Sequence, residues 1–139
     1  MPGLIISSPD GAQRVRGIHG GRAEIRVKRL ATGNMMYADF DAFEWARLPD
    51  GSAVGLHTHA RTEELYFIVK GRARLVVGGE EYEVSPGDLM IMSHFGQHSI
   101  EPLPGEELEM IVVEALPPAI ARALPFYEPT DVSGEEGTR

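Results

Sequence analysis

Four turn signals divide the middle of this 139-residue chain into short runs: Leu48-Pro49-Asp50-Gly51, Gly78-Gly79, Ser85-Pro86-Gly87-Asp88 and Leu103-Pro104-Gly105-Glu106. Three place proline and glycine in the order a reverse turn needs, and the paired glycines suit a hairpin turn with positive φ. The runs between them are short, apolar and evenly spaced, which predicts an all-β barrel or sandwich. Strands are expected over 24–30, 35–46, 53–59, 64–69, 72–77, 80–84, 89–92 and 108–114. Pro117-Pro118 closes the strand-rich part. Residues 119–124 read as one or two helical turns between prolines.

Alternation says which way side chains face. Ile25 and Val27 lie on one side of a strand and Glu24, Arg26 and Lys28 on the other, the pattern of a half-buried strand. In 64–69 the phase that puts Glu64 inward also puts Tyr66 and Ile68 inward. Leu65, Phe67 and Val69 then form an apolar outer face, expected to be covered by another layer or by a second copy in a homodimer.

Composition narrows the function. The length suits one domain. There is no cysteine, so disulfides and thiolate metal sites are excluded. A formal net charge of -8 disfavours nucleic acid, which needs basic patches. The sequence has neither a charged-then-apolar leader nor 18 consecutive apolar residues, so no membrane partner is expected and a cytoplasmic setting is.

The chemistry concentrates at His57-Thr58-His59-Ala60-Arg61-Thr62-Glu63-Glu64. Histidines at i and i+2 on a strand point to one face. A carboxylate follows, and His98 lies downstream of the Gly87-Asp88 turn. Neutral imidazoles and a carboxylate converging from separate strands suit a divalent transition metal.

The spacing of these residues resembles the two motifs of the cupin superfamily. Gly51, His57, His59, Glu64 and Gly71 follow the first motif: glycine, His-x-His, glutamate and a closing glycine. Gly87 and His98 keep the spacing of the second, but Ser93, Phe95 and Pro102 stand where that motif has proline, glycine and asparagine. The resemblance spans residues 51 to 102. It implies a double-stranded β-helix, the jelly-roll or cupin barrel, over 22–116. An N-terminal arm or edge strand would occupy 1–21, with Leu4-Ile5-Ile6 as its apolar run, and a short helix and mobile tail 117–139. It also implies a divalent metal, iron, manganese, nickel or zinc, held by His57, His59, Glu64 and His98. Glu64 is preferred to Glu63 because its distance to Gly71 fits the motif.

Around that centre Phe40, Trp45, Tyr66, Ile68, Met90 and Met92 are expected as an apolar wall. Glu64, Tyr66 and His94 are the candidates for proton transfer or substrate contact. Gln97 is a weaker candidate, and His19 reads as a loop histidine. Two classes of function follow. One is a metal-dependent enzyme for a small oxygenated or carboxylated molecule, with dioxygenase, isomerase, cyclase or lyase chemistry. The other is a non-catalytic module that binds or senses a small ligand.

Overall fold

A computed structural model describes residues 5–35, 38–92 and 96–125. Among these are the strands β1 (Gln13–Arg16), β2 (Glu24–Thr32), β3 (Ala42–Leu48), β4 (Val54–Thr58), β5 (Glu63–Lys70), β6 (Ala73–Val77), β7 (Glu80–Val84), β8 (Leu89–Met92), β9 (Gln97–Pro102) and β10 (Leu108–Ala115), then a helix α1 (Pro118–Ala123). A six-stranded sheet runs β1-β2-β3-β10-β5-β8 and a four-stranded sheet runs β4-β9-β6-β7, with every pairing antiparallel. The two sheets form a jelly-roll barrel, the all-β class expected from the turns.

The core follows the period of two. Tyr66 and Ile68 on β5, Leu108, Met110 and Val112 on β10, Ala46 and Leu48 on β3, and Leu75 and Ile100 from the smaller sheet are all buried. Ile68, Leu48 and Leu108 are fully enclosed. Each such side chain contributes roughly 1.5–3 kcal/mol on leaving water. The opposite phase looks outward: Phe67 is 42% exposed, Leu89 56% and Ile91 69%. Register places Phe67 beside Leu89 on one side and Ile111 on the other, so these residues form one apolar face.

Several elements differ from the sequence reading. The strand expected over 35–46 begins only at Ala42, because β2 runs on to Thr32 and a 3₁₀ turn at Gly33–Met35 starts the connection. Phe40 therefore precedes the strand, and Met36 and Tyr37 lie outside the described residues. Trp45 shares the outward phase of Phe43 and Arg47. It is covered there by the Arg26 guanidinium, 6.0 Å from its ring, and its indole N–H donates to Glu109 Oε1 at 3.0 Å. At the N-terminus the strand is Gln13–Arg16, an edge partner of β2 in the same chain, whereas Ile5 and Ile6 are not in a strand and Leu4 lies outside the described residues. Of the C-terminal stretch, residues 126–139 also lie outside them. No described helix is long and apolar enough to cross a membrane.

Candidate metal centre

The barrel brings His57, His59, Glu64 and His98 together at one end. One ligand atom from each lies within 4.8 Å of all the others. His57 is on β4, and His59 stands just past its end. His98 is on β9, directly opposite His57 in the ladder. It is the second residue of that strand and is paired on both sides, with His57 of β4 and Val77 of β6. Glu64 comes from β5 in the other sheet and is only 3% exposed, whereas Glu63 is half-buried.

Hydrogen bonding sets the ring orientations. His57 Nδ1–H donates to the Gly55 carbonyl at 2.7 Å, which leaves Nε2 with its lone pair. His59 Nδ1 lies 3.3 Å from the hydroxyl of buried Thr62. His59 Nε2 is 2.8 Å from Glu64 Oε1 but poorly aligned for a hydrogen bond, so it is buried without a partner among the described residues. His98 Nε2 sits 2.8 Å from Glu64 Oε2 and 3.4 Å from the Tyr66 hydroxyl. An orphaned imidazole nitrogen, a buried carboxylate and a fixed tautomer at His57 fit a divalent cation. The set contains only nitrogen and oxygen donors, which suits iron, manganese, nickel or zinc.

Electrostatics favour the metal-ready protonation states. Burial pushes the His57 pKa down to about 4, so this ring is neutral at physiological pH. Burial pushes the Glu64 carboxyl up, but the flanking imidazoles of His59 and His98 outweigh it and hold that carboxyl well below the usual carboxylate range. Burial and the Glu64 charge drive the Tyr66 hydroxyl well above its ordinary value, so it keeps its proton.

A cavity of about 70 Å³ opens beside the cluster. Its polar residues are His19, His57, Glu64, Tyr66, Glu44 and Glu114. The apolar wall is Ile18, Ile25, Val27, Ala46, Val54, Met110 and Val112. Of the wall expected from sequence, only Tyr66 lines this space. Ile68 and Met92 are buried in the core, Met90 packs against it, and Trp45 is on the outer face. Gln97 is exposed at the start of β9. His94 lies outside the described residues.

Sequence reasoning missed three residues. Glu114 on β10 is the direct cross-strand neighbour of Glu64. Burial, then repulsion from Glu44 and Glu64, pushes its pKa far up, so its carboxyl stays protonated at neutral pH and hydrogen-bonds Glu64. Glu44 on β3 is also raised by burial, against the pull of Arg29 3.6 Å away. Both interrupt apolar inward phases, Ala42-Glu44-Ala46 and Met110-Val112-Glu114, and that phase was the available signal. The third is His19, whose ring stacks on His57 with centroids 3.9 Å apart. No local pattern marked it.

Comparison with known proteins agrees with this architecture. A Thermotoga maritima protein described as oxalate-binding is 29% identical over 112 residues, covering 80% of this chain and 93% of its own. A crystal structure from T. maritima, described as a predicted oxalate decarboxylase, superposes with a TM-score of 0.77 at 28% identity, covering 82% of this chain and all of the other. KdgF from Halomonas sp., at 18% identity, covers 86% of this chain and 99% of its own with a TM-score of 0.65, which speaks to the fold alone. Residues 44–114 match the family model of the cupin domain. With barrel, motif spacing and family match in agreement, this chain belongs to the cupin domain family.

Proposed function

We propose that this protein is a metal-dependent enzyme acting on a small dicarboxylate of the oxalate kind, by lyase chemistry. The convergence of His57, His59, Glu64 and His98 beside a cavity of about 70 Å³ carries the proposal. Those ligands bring one negative charge, from Glu64, so a divalent ion leaves the centre net positive and attractive to a carboxylate. The small volume admits only a few heavy atoms beyond the metal. The T. maritima relatives, named for oxalate, support the same substrate class.

When bound, a divalent metal supplies Lewis-acid polarisation of the substrate's carboxylates. The protein's own residues do the rest. The apolar wall excludes water and strengthens the electrostatics inside. Glu114 holds a proton at its carboxyl next to Glu64. In decarboxylation of hydrogen oxalate the carbon–carbon bond breaks and carbon dioxide leaves. The electron pair stays on the other carbon, which takes up a proton from the site, while the carboxyl proton of hydrogen oxalate returns to the site and formate leaves. Glu114 and Tyr66 are the groups of the cavity placed to deliver the proton that the carbon takes up.

The alternative is a module that binds the dicarboxylate without turnover. The description of one relative as oxalate-binding favours it. The exposed apolar face around Phe67, Leu89 and Ile91 belongs to the first reading as the contact of a homodimer, in a cytoplasmic setting.

The test begins with untagged protein and elemental mass spectrometry. About one equivalent of metal is expected in the wild type and little in His57→Ala. Substoichiometric metal in both, across several metal supplies, retires the metal centre. Incubation with oxalate should then give formate, read by proton NMR. Bound oxalate with no formate selects the binding module.

A further inference from the structure

His19 sits on the metal cluster but is not one of its ligands. Its ring lies nearly parallel to that of His57, with an interplanar angle of 9° and centroids 3.9 Å apart. The His59 ring is 6.2 Å away. The residue is exposed and borders the cavity, which places it at the mouth.

The fold holds it there at some cost. His19 has φ 50, in the left-handed region that a non-glycine residue seldom adopts. Two glycines let its segment press against β4. A side chain on Gly55 would meet the His19 carbonyl at 1.9 Å, and one on Gly21 would meet the Ala53 carbonyl at 1.8 Å. Paired backbone hydrogen bonds between Arg22 and Ala53, 3.1 and 3.0 Å, fasten the same contact. A histidine held in a strained conformation by a glycine-lined seam needs a role beyond joining two strands. Its ring stacks on one ligand of the cluster without being one of the four, which leaves its nitrogens outside the set that would hold the metal.

We propose that His19 is the substrate-selecting residue of this site: from its stack on His57 it donates a ring N–H to the second carboxylate of a dicarboxylate whose first is held at the metal. The inference rests on the proposed dicarboxylate-binding metal centre. It adds that the chain upstream of the barrel's ligand strands sets specificity. A small acid with one carboxylate has nothing to offer His19 and gains nothing from it.

The experiment uses full-length protein loaded with cobalt(II), with metal content measured directly and binding of oxalate and of acetate by calorimetry. His19→Phe keeps a stacking ring and removes the donor. It should retain full cobalt and bind oxalate at least tenfold more weakly, with acetate affinity unchanged, the size expected for a hydrogen bond to a charged group. His19→Asn keeps a donor and tolerates the left-handed backbone; it should stay within about threefold of wild type. Gly21→Ala leaves the imidazole intact but drives its segment off β4, and should reproduce the oxalate loss with cobalt retained. Wild-type oxalate affinity in His19→Phe overturns the proposal, and so does loss of cobalt in that variant, which would make His19 part of the metal shell. Failure of cobalt-loaded wild type to bind oxalate refutes the dicarboxylate reading itself. It is seen before any variant is made, and the inference then falls with it.

Discussion

The depressed pKa of His57 makes the metal-free protein acid-sensitive in a defined window. The folded value is about 4 against an ordinary 6.5. Between those values the unfolded chain takes up a proton that the folded chain refuses. Stability from this group is therefore complete above about pH 6.5, falls as the pH drops, and is gone near pH 4. At about 1.36 kcal/mol per unit the full effect has a ceiling near 3 kcal/mol. The ring is partly exposed, and solvent screening reduces that to about 1.5 kcal/mol, of which about 1 kcal/mol is lost between pH 6.5 and 5. The measurement is urea denaturation at pH 7.5 and 5, with chelator present, on wild type and His57→Gln. Wild type should lose about 1 kcal/mol more than the variant over that interval, a midpoint shift near 0.5 M urea. The raised carboxyls of Glu44 and Glu114 act with the opposite sign, because the folded form there holds protons that the unfolded form releases. They are present in both proteins and drop out of the difference. Equal losses in the two proteins, or a larger loss in the variant, would refute the assignment of a buried neutral imidazole at position 57.

Chelation should lower the melting temperature. At a metal concentration 100-fold above its dissociation constant the stabilisation is about 2.7 kcal/mol, or about 10 °C for a chain of this size, and His98→Ala should show none of it in a thermal-shift assay. Glu114→Gln imitates the neutral acid. The wild-type carboxyl keeps its proton in the fold up to about pH 9 but ionises at its ordinary value of 4.5 in the unfolded chain, so wild type should lose stability relative to this variant as the pH rises from 4.5 to about 9, with the gap level above that, and the variant should bind oxalate while producing little formate by NMR. Phe67→Asp places a charge in the exposed apolar face, so light scattering should show a dimeric wild type and a monomeric variant.

The legible part of this molecule was the part governed by period and spacing. Glycine and proline fixed where strands could end, and alternation at 64–69 correctly put Tyr66 and Ile68 inward and Phe67 and Val69 outward. The His-x-His pair needed only the period of two to share a face, and motif spacing separated Glu64 from Glu63. What could not be read was contact between distant segments. Trp45 has a size that suggests core, but its phase along β3 is set by pairing with β10, where it opposes Ile111, and the packing of Arg26 then covers it from outside. Glu44 and Glu114 look like surface charges until their strands pair and turn them into the cavity. His19 is the extreme case. Its place depends on two missing side chains, at Gly21 and Gly55, that let one backbone lie on another. That is a property of two chain segments at once, and no local window contains both.

The division of the ligands between sheets has a consequence for the apo protein. His57, His59 and His98 belong to the β4-β9 side, and Glu64 to β5 of the other sheet. Metal-free, the two sides meet through imidazole–carboxylate contacts of 2.8 Å, one of them poorly aligned. The register of β4 against β9 also slips between Val54 and His57, so the ladder beneath the ligands is locally interrupted. A bound ion would replace those contacts with bonds to both sheets at once. The stabilisation on metal binding should therefore appear as protection of backbone amides in β4, β5 and β9 near the cluster, rather than evenly over the barrel. Hydrogen exchange with and without metal reads this directly, and uniform protection across β6 and β7 as well would mean that the ion does not act as a clamp between the sheets.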